Sequence, residues 1–505
     1  KKRTEASILH SLSAYSPPKH TIMTQLTPKV VFDCFAQINQ VPRPSKREEK
    51  IQAFLMKFGQ DLGLDTKIDD AGNILIKKPA TPGYENRKTV IFQSHQDMVC
   101  EKNVDVEFDF DNDPIQTYVD GEWLKAKGTT LGADDGIGVA MQLAILQSTD
   151  IEHGPIECLF TSDEETGLTG AEGLQPGFMT GEYLINLDSE DEGQLFVSCA
   201  GGVRTEAKFT IASTAMPENY FAADVFVKGL TGGHSGDDIN KNRANANKLL
   251  VRFLNAQMEK TDLRIVDIQA GGLHNAIPRE AHAIVAVPFN YKEQLRVDLN
   301  VFAAAAKEEF SATEPEMVVD LDSVATPKEA LEPEAAKRMI KSLVAVHNGV
   351  FAMSQDLENF VETSSNLASI RKNGDVVMVN TSQRSSVSSN LQNMAEVIRA
   401  AFELGGAECL TTEGYPGWKM NPNSEILKVA VESYRRLFGK EPKVLAIHAG
   451  LECGLFSEKY PHLDMVSLGP TLRGVHSPDE RLLIPTVQMV WDHVLDMLKN
   501  IPTKA

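Results

Sequence analysis

The residues best suited to chemistry lie in Phe160-Thr161-Ser162-Asp163-Glu164-Glu165-Thr166-Gly167, where three acids close the apolar run 155–160. Neighbouring carboxylates raise one another's pKa unless positive charge sits among them, and a bound cation removes that conflict. Adjacent side chains on an extended chain face opposite ways, so Glu165 could bind a metal while Glu164 points elsewhere, and a carboxylate ligand beside a general base is a workable hydrolase site. An isolated Asp-Glu-Glu reads more readily as a solvated acidic turn, so the weight comes from the rest of the chain. Ser94-His95-Gln96-Asp97 closes a second apolar run, 89–93. His95 and Asp97 share a strand face, and a ligating imidazole commonly gives its other N–H to a carboxylate. Gly132-Ala133-Asp134-Asp135-Gly136 opens an apolar helix at 137–146. One acid there is an ordinary N-cap, but capping does not explain two. A further apolar run, 183–187, ends in Asp188.

These groups need a frame that brings strand ends together, and open α/β sheets do so at their carboxyl edge. Residues 27–40 carry helical spacing, and Ser45-Lys46-Arg47-Glu48 reads as a capping box for a helix bearing Ile51, Phe54, Leu55 and Phe58. Hairpins are expected across 69–73 and at Asp120-Gly121. After Gly201-Gly202 the pattern changes. Helix, strand, strand, helix, strand is expected at 240–254, 263–269, 281–288, 294–310 and 316–320. The order repeats at 328–346, 359–363, 375–380, 391–404 and 408–412. Sheet-like runs return at 444–447 and 465–468, before a helix at 486–498 behind Pro485. The expected fold is α/β: a mixed sheet flanked by helices in a discontinuous domain, 23–203 and 417–505, interrupted at 204–416 by a duplicated α+β unit. Residues 1–22 are read as a leader outside the fold, with Met23 as the more natural start.

The chain has 505 residues, 42% hydrophobic and 24% charged, in keeping with an ordinary globular protein. A net charge of −20 argues against a nucleic-acid partner, whose usual footprint is basic. Cys34, Cys100, Cys158, Cys199, Cys409 and Cys453 are scattered without a Cys-x-x-Cys pair, which favours a reducing compartment over a disulfide framework. No apolar run approaches the roughly 18 residues of a membrane span. The expected location is therefore cytoplasmic.

Taken together, His95-x-Asp97, Gly132 to Gly136, Asp163 to Gly167, Asn186-Leu187-Asp188 and Val475-His476-Ser477-Pro478 resemble the co-catalytic zinc exopeptidases of the aminoacylase and carboxypeptidase G type. Gly232-Gly233-His234-Ser235-Gly236, Asn275-Ala276-Ile277-Pro278-Arg279-Glu280 and the long insert look most like the carnosinase-like branch, the aminoacyl-histidine dipeptidases. The resemblance runs from about Met23 to the C-terminus. It implies two zinc ions per chain, with manganese or cobalt as substitutes. Asp134 would bridge them, His95 and Asp188 would complete one site, and Glu165 and His476 the other. Glu164 would be the general base and Asp97 would orient His95. The insert would act as a lid, with His234 and Asn275 polarising the scissile carbonyl and Arg384 gripping the substrate carboxylate. His274 and Asn366 compete for those lid roles. His448, Gly450 and Glu452 would line the substrate loop. The implied reaction is hydrolysis of unblocked dipeptides, including Xaa-His, by zinc-held water and a glutamate base. N-acyl-amino-acid amidohydrolase or tripeptide aminopeptidase activity is the alternative, and a non-catalytic small-molecule binder is the remote one. Monomer and homodimer both stay open.

Overall fold

The computed structural model describes residues 26–412 and 414–504, so the expected leader at 1–22 lies outside the described residues. The chain divides into two compact units: residues 1–197, 421–445 and 459–505 in one, 198–420 and 446–458 in the other. The second is wider than the expected insert and takes in 446–458, which sequence reading had kept with the first.

The first unit is built on an eight-stranded mixed sheet. Its order is Asp65–Ile68, Ile74–Lys78, Ile156–Thr161, Val90–His95, Tyr183–Asn186, Asp464–Ser467, Gln194–Cys199, Lys443–Ile447. Val90–His95 pairs in parallel with both Ile156–Thr161 and Tyr183–Asn186, and Tyr183–Asn186 pairs in parallel with Asp464–Ser467. All six residues of Val90–His95 and of Ile156–Thr161 are buried. That explains their unbroken apolar lettering, because parallel strands covered on both faces lose the in–out alternation. The register sets His95 beside Thr161 and Gln93 beside Asn186, so the residues that follow each strand leave the sheet along one edge. Helices Lys29–Ile38, Ala133–Gln147, Glu425–Phe438 and Ile484–Lys499 contribute Phe32, Phe35, Ile137, Met141, Ile426, Val487 and Val494 to the same core. The hairpin expected across 69–73 joins Asp65–Ile68 to Ile74–Lys78, and the Asp120-Gly121 turn joins Thr117–Asp120 to Trp123–Ala126.

The expected capping box is not formed. The helix is Glu49–Asp61, its N-cap Glu48 makes no side-chain cap bond, and the Glu48 carboxylate instead accepts the Asp163 amide at 2.8 Å. A buried orphan amide at a strand end outweighs a cap that water can replace.

The second unit holds a nine-stranded antiparallel sheet. Its main path runs Val318–Val324, Tyr220–Lys228, Ala281–Pro288, Arg264–Gly271, Val361–Asn373, Val376–Ser385, Gly201–Thr210, Glu408–Thr411, with Gly349–Met353 beside Val361–Asn373. The expected helix–strand–strand–helix–strand order occurs twice, through helices Ala246–Met258 and Lys292–Glu309, then Pro333–Ala345 and Ser388–Leu404. Each pass also takes a leading strand that sequence reading missed, Tyr220–Lys228 for the first and Gly201–Thr210 for the second. The first pass is inserted between the leading strand and first helix of the second. The sheet order mirrors itself about the Arg264–Gly271 and Val361–Asn373 pair. Apolar side chains from all four helices and from alternating strand positions form one core.

Candidate active site

Along the carboxyl edge of the first sheet, the structure brings together His95, Asp134, Glu165, Asp188 and His476. His95 ends its strand and is almost fully buried. Its Nε2 lies 3.0 Å from Asp134 Oδ1 and 3.5 Å from Asp188 Oδ1. On the other side, His476 Nε2 lies 3.2 Å from Asp134 Oδ2 and 2.9 Å from Glu165 Oε2. The two oxygens of Asp134 thus face two different imidazole–carboxylate pairs. One atom each from His95, Asp134 and Glu165 falls within 4.8 Å of the others. The His476 side chain is 52% exposed against 1% for His95, so the group opens to solvent on the His476 side.

Local structure explains how each side chain gets there. Gly132 takes a left-handed conformation, and a Cβ on it would stand 2.5 Å from an Arg43 guanidinium nitrogen. Asp134 and Asp135 then depart from helical angles inside Ala133–Gln147, and a cis peptide bond joins them. Asp135 Oδ1 accepts the Gly138 amide at 3.2 Å, so Asp135 caps the regular helix while Asp134 faces the histidines. The two acids that capping alone could not explain therefore have separate work.

The account of Glu164 and Glu165 as neighbours on an extended strand is overturned. Asp163 turns the chain left-handed, and Glu164–Gly167 is a single helical turn. Successive residues of a helical turn are rotated by about 100° about its axis, so neighbours need not share a face. Asp163 is held by hydroxyl donors from Thr166 and Thr169 and stays out of the cluster of ligand-type groups. The Glu164 amide donates to Asp97 Oδ1 at 3.1 Å and the Glu165 amide to Asp97 Oδ2 at 3.3 Å. Asp97 also lies 3.3 Å from His95 Nδ1. One buried carboxylate therefore sets both the imidazole and the helical turn.

Electrostatics give the group its character. Burial opposes a charged His95, yet Asp188, Asp134 and Asp97 hold its pKa well above the usual imidazole value. Hydrogen bonds to Asp134 and Glu165 push His476 up to about 11. Burial raises Asp188. Asp134, despite its burial, is held low by the two histidines. The buried carboxylates call for positive charge among them. Glu165 Oε1 is buried without a hydrogen-bond partner. Imidazole and carboxylate oxygen are ligands zinc accepts, and buried carboxylates around one bridging Asp suit a divalent cation. The residues fit a metal centre.

Two residues that sequence reasoning left without a role also shape this edge. Glu480 is buried, and its carboxylate accepts the amides of Leu131, Gly132, Ala133 and Asp134 at 2.7, 2.9, 2.8 and 3.2 Å. Burial pushes its carboxyl up, and the amides favour the charged form. Arg43, also buried, donates to the Asp97 carbonyl at 2.8 Å and to the Gly132 carbonyl. Neither belongs to a motif: Arg43 lies before the Ser45 to Glu48 stretch, and Glu480 follows Val475 to Pro478.

In the second unit the structure brings together His234, Asn275, Arg384 and His448. His234 and Asn275 meet where Gly233–His234 pairs with Ala276–Ile277, with the Ser235 amide on the Asn275 carbonyl at 2.8 Å. His234 Nδ1 lies 3.1 Å from Asp237. Of the competing residues, Asn366 is buried and spends its amide on the Ala276 carbonyl at 2.8 Å, and the His274 ring meets Arg204 at 2.8 Å. Asn275 is exposed. Arg384 donates to the Tyr415 hydroxyl at 3.1 Å, and its buried Nε has no partner. His448 bonds Ser364 Oγ at 2.8 Å through Nε2, while Nδ1 is buried without a partner. Burial, with Arg384 beside it, lowers His448 to about 3. Gly450 packs on Tyr415, whose ring a Cβ would meet at 2.6 Å. Glu452 is buried at the start of Glu452–Lys459.

Residues 91–500 match peptidase family M20/M25/M40. The cytosol non-specific dipeptidase of Escherichia coli is 43% identical over 482 residues, 95% of this chain and 99% of that protein. The chain belongs to this peptidase family. It is a metallopeptidase, as the sequence resemblance implied. The crystal structure of aminoacylhistidine dipeptidase from Vibrio alginolyticus is 44% identical, with a TM-score of 0.92 over 96% of this chain and 99% of that one. Aminopeptidase PepT from Bacillus cereus shares the fold at 17% identity, with a TM-score of 0.55 over 94% of this chain and 99% of that one. No helix among the described residues is long and apolar enough to cross a membrane.

Proposed function

We propose that the chain is a cytoplasmic dipeptidase that hydrolyses unblocked dipeptides, Xaa-His among them, at a centre of two zinc ions. The observation that carries this reading is the division of Asp134: one oxygen toward His95 and Asp188, the other toward His476 and Glu165. His95 and Asp188 would hold one ion, Glu165 and His476 the second, and Asp134 both. Zinc bound there would supply a Lewis acid for the scissile carbonyl and would acidify water.

The chain's own residues supply the rest. Glu164 takes a proton from the attacking water and gives it to the leaving amine nitrogen. Asp97 positions both partners, through Nδ1 of His95 and the amides of Glu164 and Glu165. Arg384 offers its planar fork to the substrate carboxylate, and its unpartnered Nε supports that role. His234 and Asn275 polarise the carbonyl oxygen. His448, Gly450 and Glu452 line the substrate side. The names of the Escherichia coli and Vibrio relatives favour dipeptides over N-acyl-amino acids or tripeptides. The cytoplasmic assignment rests on the Escherichia coli relative's name and on six free cysteines.

The experiment is a turnover panel of Ala-His, β-Ala-His, Gly-Gly-Gly and N-acetyl-Met, each with zinc, manganese and cobalt. The proposal expects the two dipeptides to be cleaved and the other two to be poor substrates. Preferential cleavage of N-acetyl-Met or Gly-Gly-Gly would replace it with the amidohydrolase or tripeptidase reading.

A further inference from the structure

A carboxylate that accepts four successive backbone amides is an unusual use of a buried charge, and Glu480 does this for Leu131 to Asp134. Oε2 takes Leu131 and Gly132, and Oε1 takes Ala133 and Asp134. The fourth amide belongs to the residue whose carboxylate divides between the two imidazoles. Glu480 also stands four positions after His476, so one short segment carries a ligand-type imidazole and the cradle for the Asp134 turn. Arg43 completes the arrangement. Its guanidinium donates to the carbonyl of Gly132, inside the cradled turn, and to the carbonyl of Asp97, behind His95. The glycines admit it: a Cβ at Gly132 or at Gly136 would each stand 2.5 Å from the same Arg43 nitrogen.

Two buried charges are costly unless fully hydrogen-bonded, and both of these are spent on backbone groups of the turns that present Asp134 and Asp97. General core stability needs no such pair, because apolar side chains of similar size serve it as well.

We infer that Glu480 is a positioning residue for the metal centre, fixing the main chain of Leu131 to Asp134 so that the Asp134 carboxylate stands between the two histidines, with Arg43 holding the same turn from its carbonyl side. The inference rests on the proposed metal centre. Glu480→Gln keeps the size but turns one acceptor oxygen into an NH2 that faces amide donors, so the cradle loses acceptors. Glu480→Asp keeps both oxygens on a shorter arm.

Two readouts on the full chain test this. The first is amide hydrogen exchange by mass spectrometry on a peptide covering 129–136 in metal-free protein. The second is zinc titration of the metal-free protein by calorimetry. Glu480→Gln should speed exchange in that peptide selectively and weaken zinc binding by about 10–100-fold, the usual cost of losing an outer support. Glu480→Asp should recover part of both. Unchanged exchange at 129–136, or wild-type zinc affinity in a folded Glu480→Gln protein, would overturn the inference. So would equal defects in the Gln and Asp variants, which would make Glu480 a packing element only. If Glu480→Gln does not fold, the Asp variant decides: intermediate affinity with faster local exchange supports the cradle, and wild-type values for both contradict it. Wild-type protein that binds no zinc would instead defeat the proposed function, and the two failures stay distinct.

Discussion

Glu164 and Glu165 are adjacent in one helical turn and the proposed reaction gives them different work, so replacing each with alanine gives a sharp contrast. Glu165 Oε2 lies 2.9 Å from His476 Nε2, and its other oxygen is buried without a partner. Removing it leaves only Asp134 and His476 on that side. Loss of an outer support costs about 10–100-fold in metal affinity, and loss of a ligand should cost more. Glu165→Ala should therefore fall to one tightly held metal. Glu164 contributes its amide to Asp97, a bond that alanine retains. Glu164→Ala should keep two metals and lose proton transfer, a rate factor of about 10²–10⁴, or about 2.7–5.4 kcal/mol. The assay is metal content by elemental analysis together with Ala-His turnover for both variants. A Glu164→Ala protein that loses a metal while Glu165→Ala keeps two would show the roles reversed. Two metals and near-normal turnover in both would return the stretch to a solvated acidic turn.

Asp97→Asn replaces a carboxylate that supports His95 and two backbone amides, and zinc affinity should fall about 10–100-fold in a calorimetric titration. Arg384→Ala should lower kcat/KM for Ala-His about 10–150-fold, the worth of a charged hydrogen bond, with a smaller effect on a C-terminally amidated dipeptide; equal losses on both would remove Arg384 from carboxylate recognition. His448 is buried and neutral, its pKa lowered from 6.5 to about 3. The unfolded chain binds a proton below its ordinary value while the folded chain does not, so stability falls as pH drops below about 6.5, by about 1.4 kcal/mol per unit until about pH 3. Denaturant melts at pH 7.0 and 5.5 should show a loss in wild type that shrinks in His448→Gln, and an equal loss in both would refute the assignment.

His95, Glu165 and Asp188 stood out because strand-end chemistry is local, whereas Asp134 lies in a glycine-rich turn and His476 was placed by the family resemblance. An apolar run followed by His-x-Asp, by acids or by Asp188 announces both the strand and the edge from which the next side chain projects. The repeated element order was legible, although the leading strand Gly201–Thr210 was missed because it is separated from the later elements it resembles by the whole first pass. What stayed hidden depends on contacts distant in sequence. Glu48 looked like a cap and instead satisfies the Asp163 amide, 115 positions away. Glu480 and Arg43 carry no motif, because their partners are backbone groups of Leu131 to Asp134 and of Asp97. The Glu164 turn was read as extended because nothing in the letters shows that Asp163 turns left-handed. Residues 446–458 joined the second unit through contacts such as His448 with Ser364, which periodicity does not encode.

The central claim is that Asp134 divides one centre into two. Anomalous diffraction at the zinc edge on crystals grown with zinc tests it most directly. The account predicts two peaks, one beside each Asp134 oxygen, the first with His95 and Asp188 and the second with His476 and Glu165. A single peak at saturating zinc, or an ion seated among Glu48, Asp97 and Asp163, a second group close enough to hold one among the described residues, would contradict it.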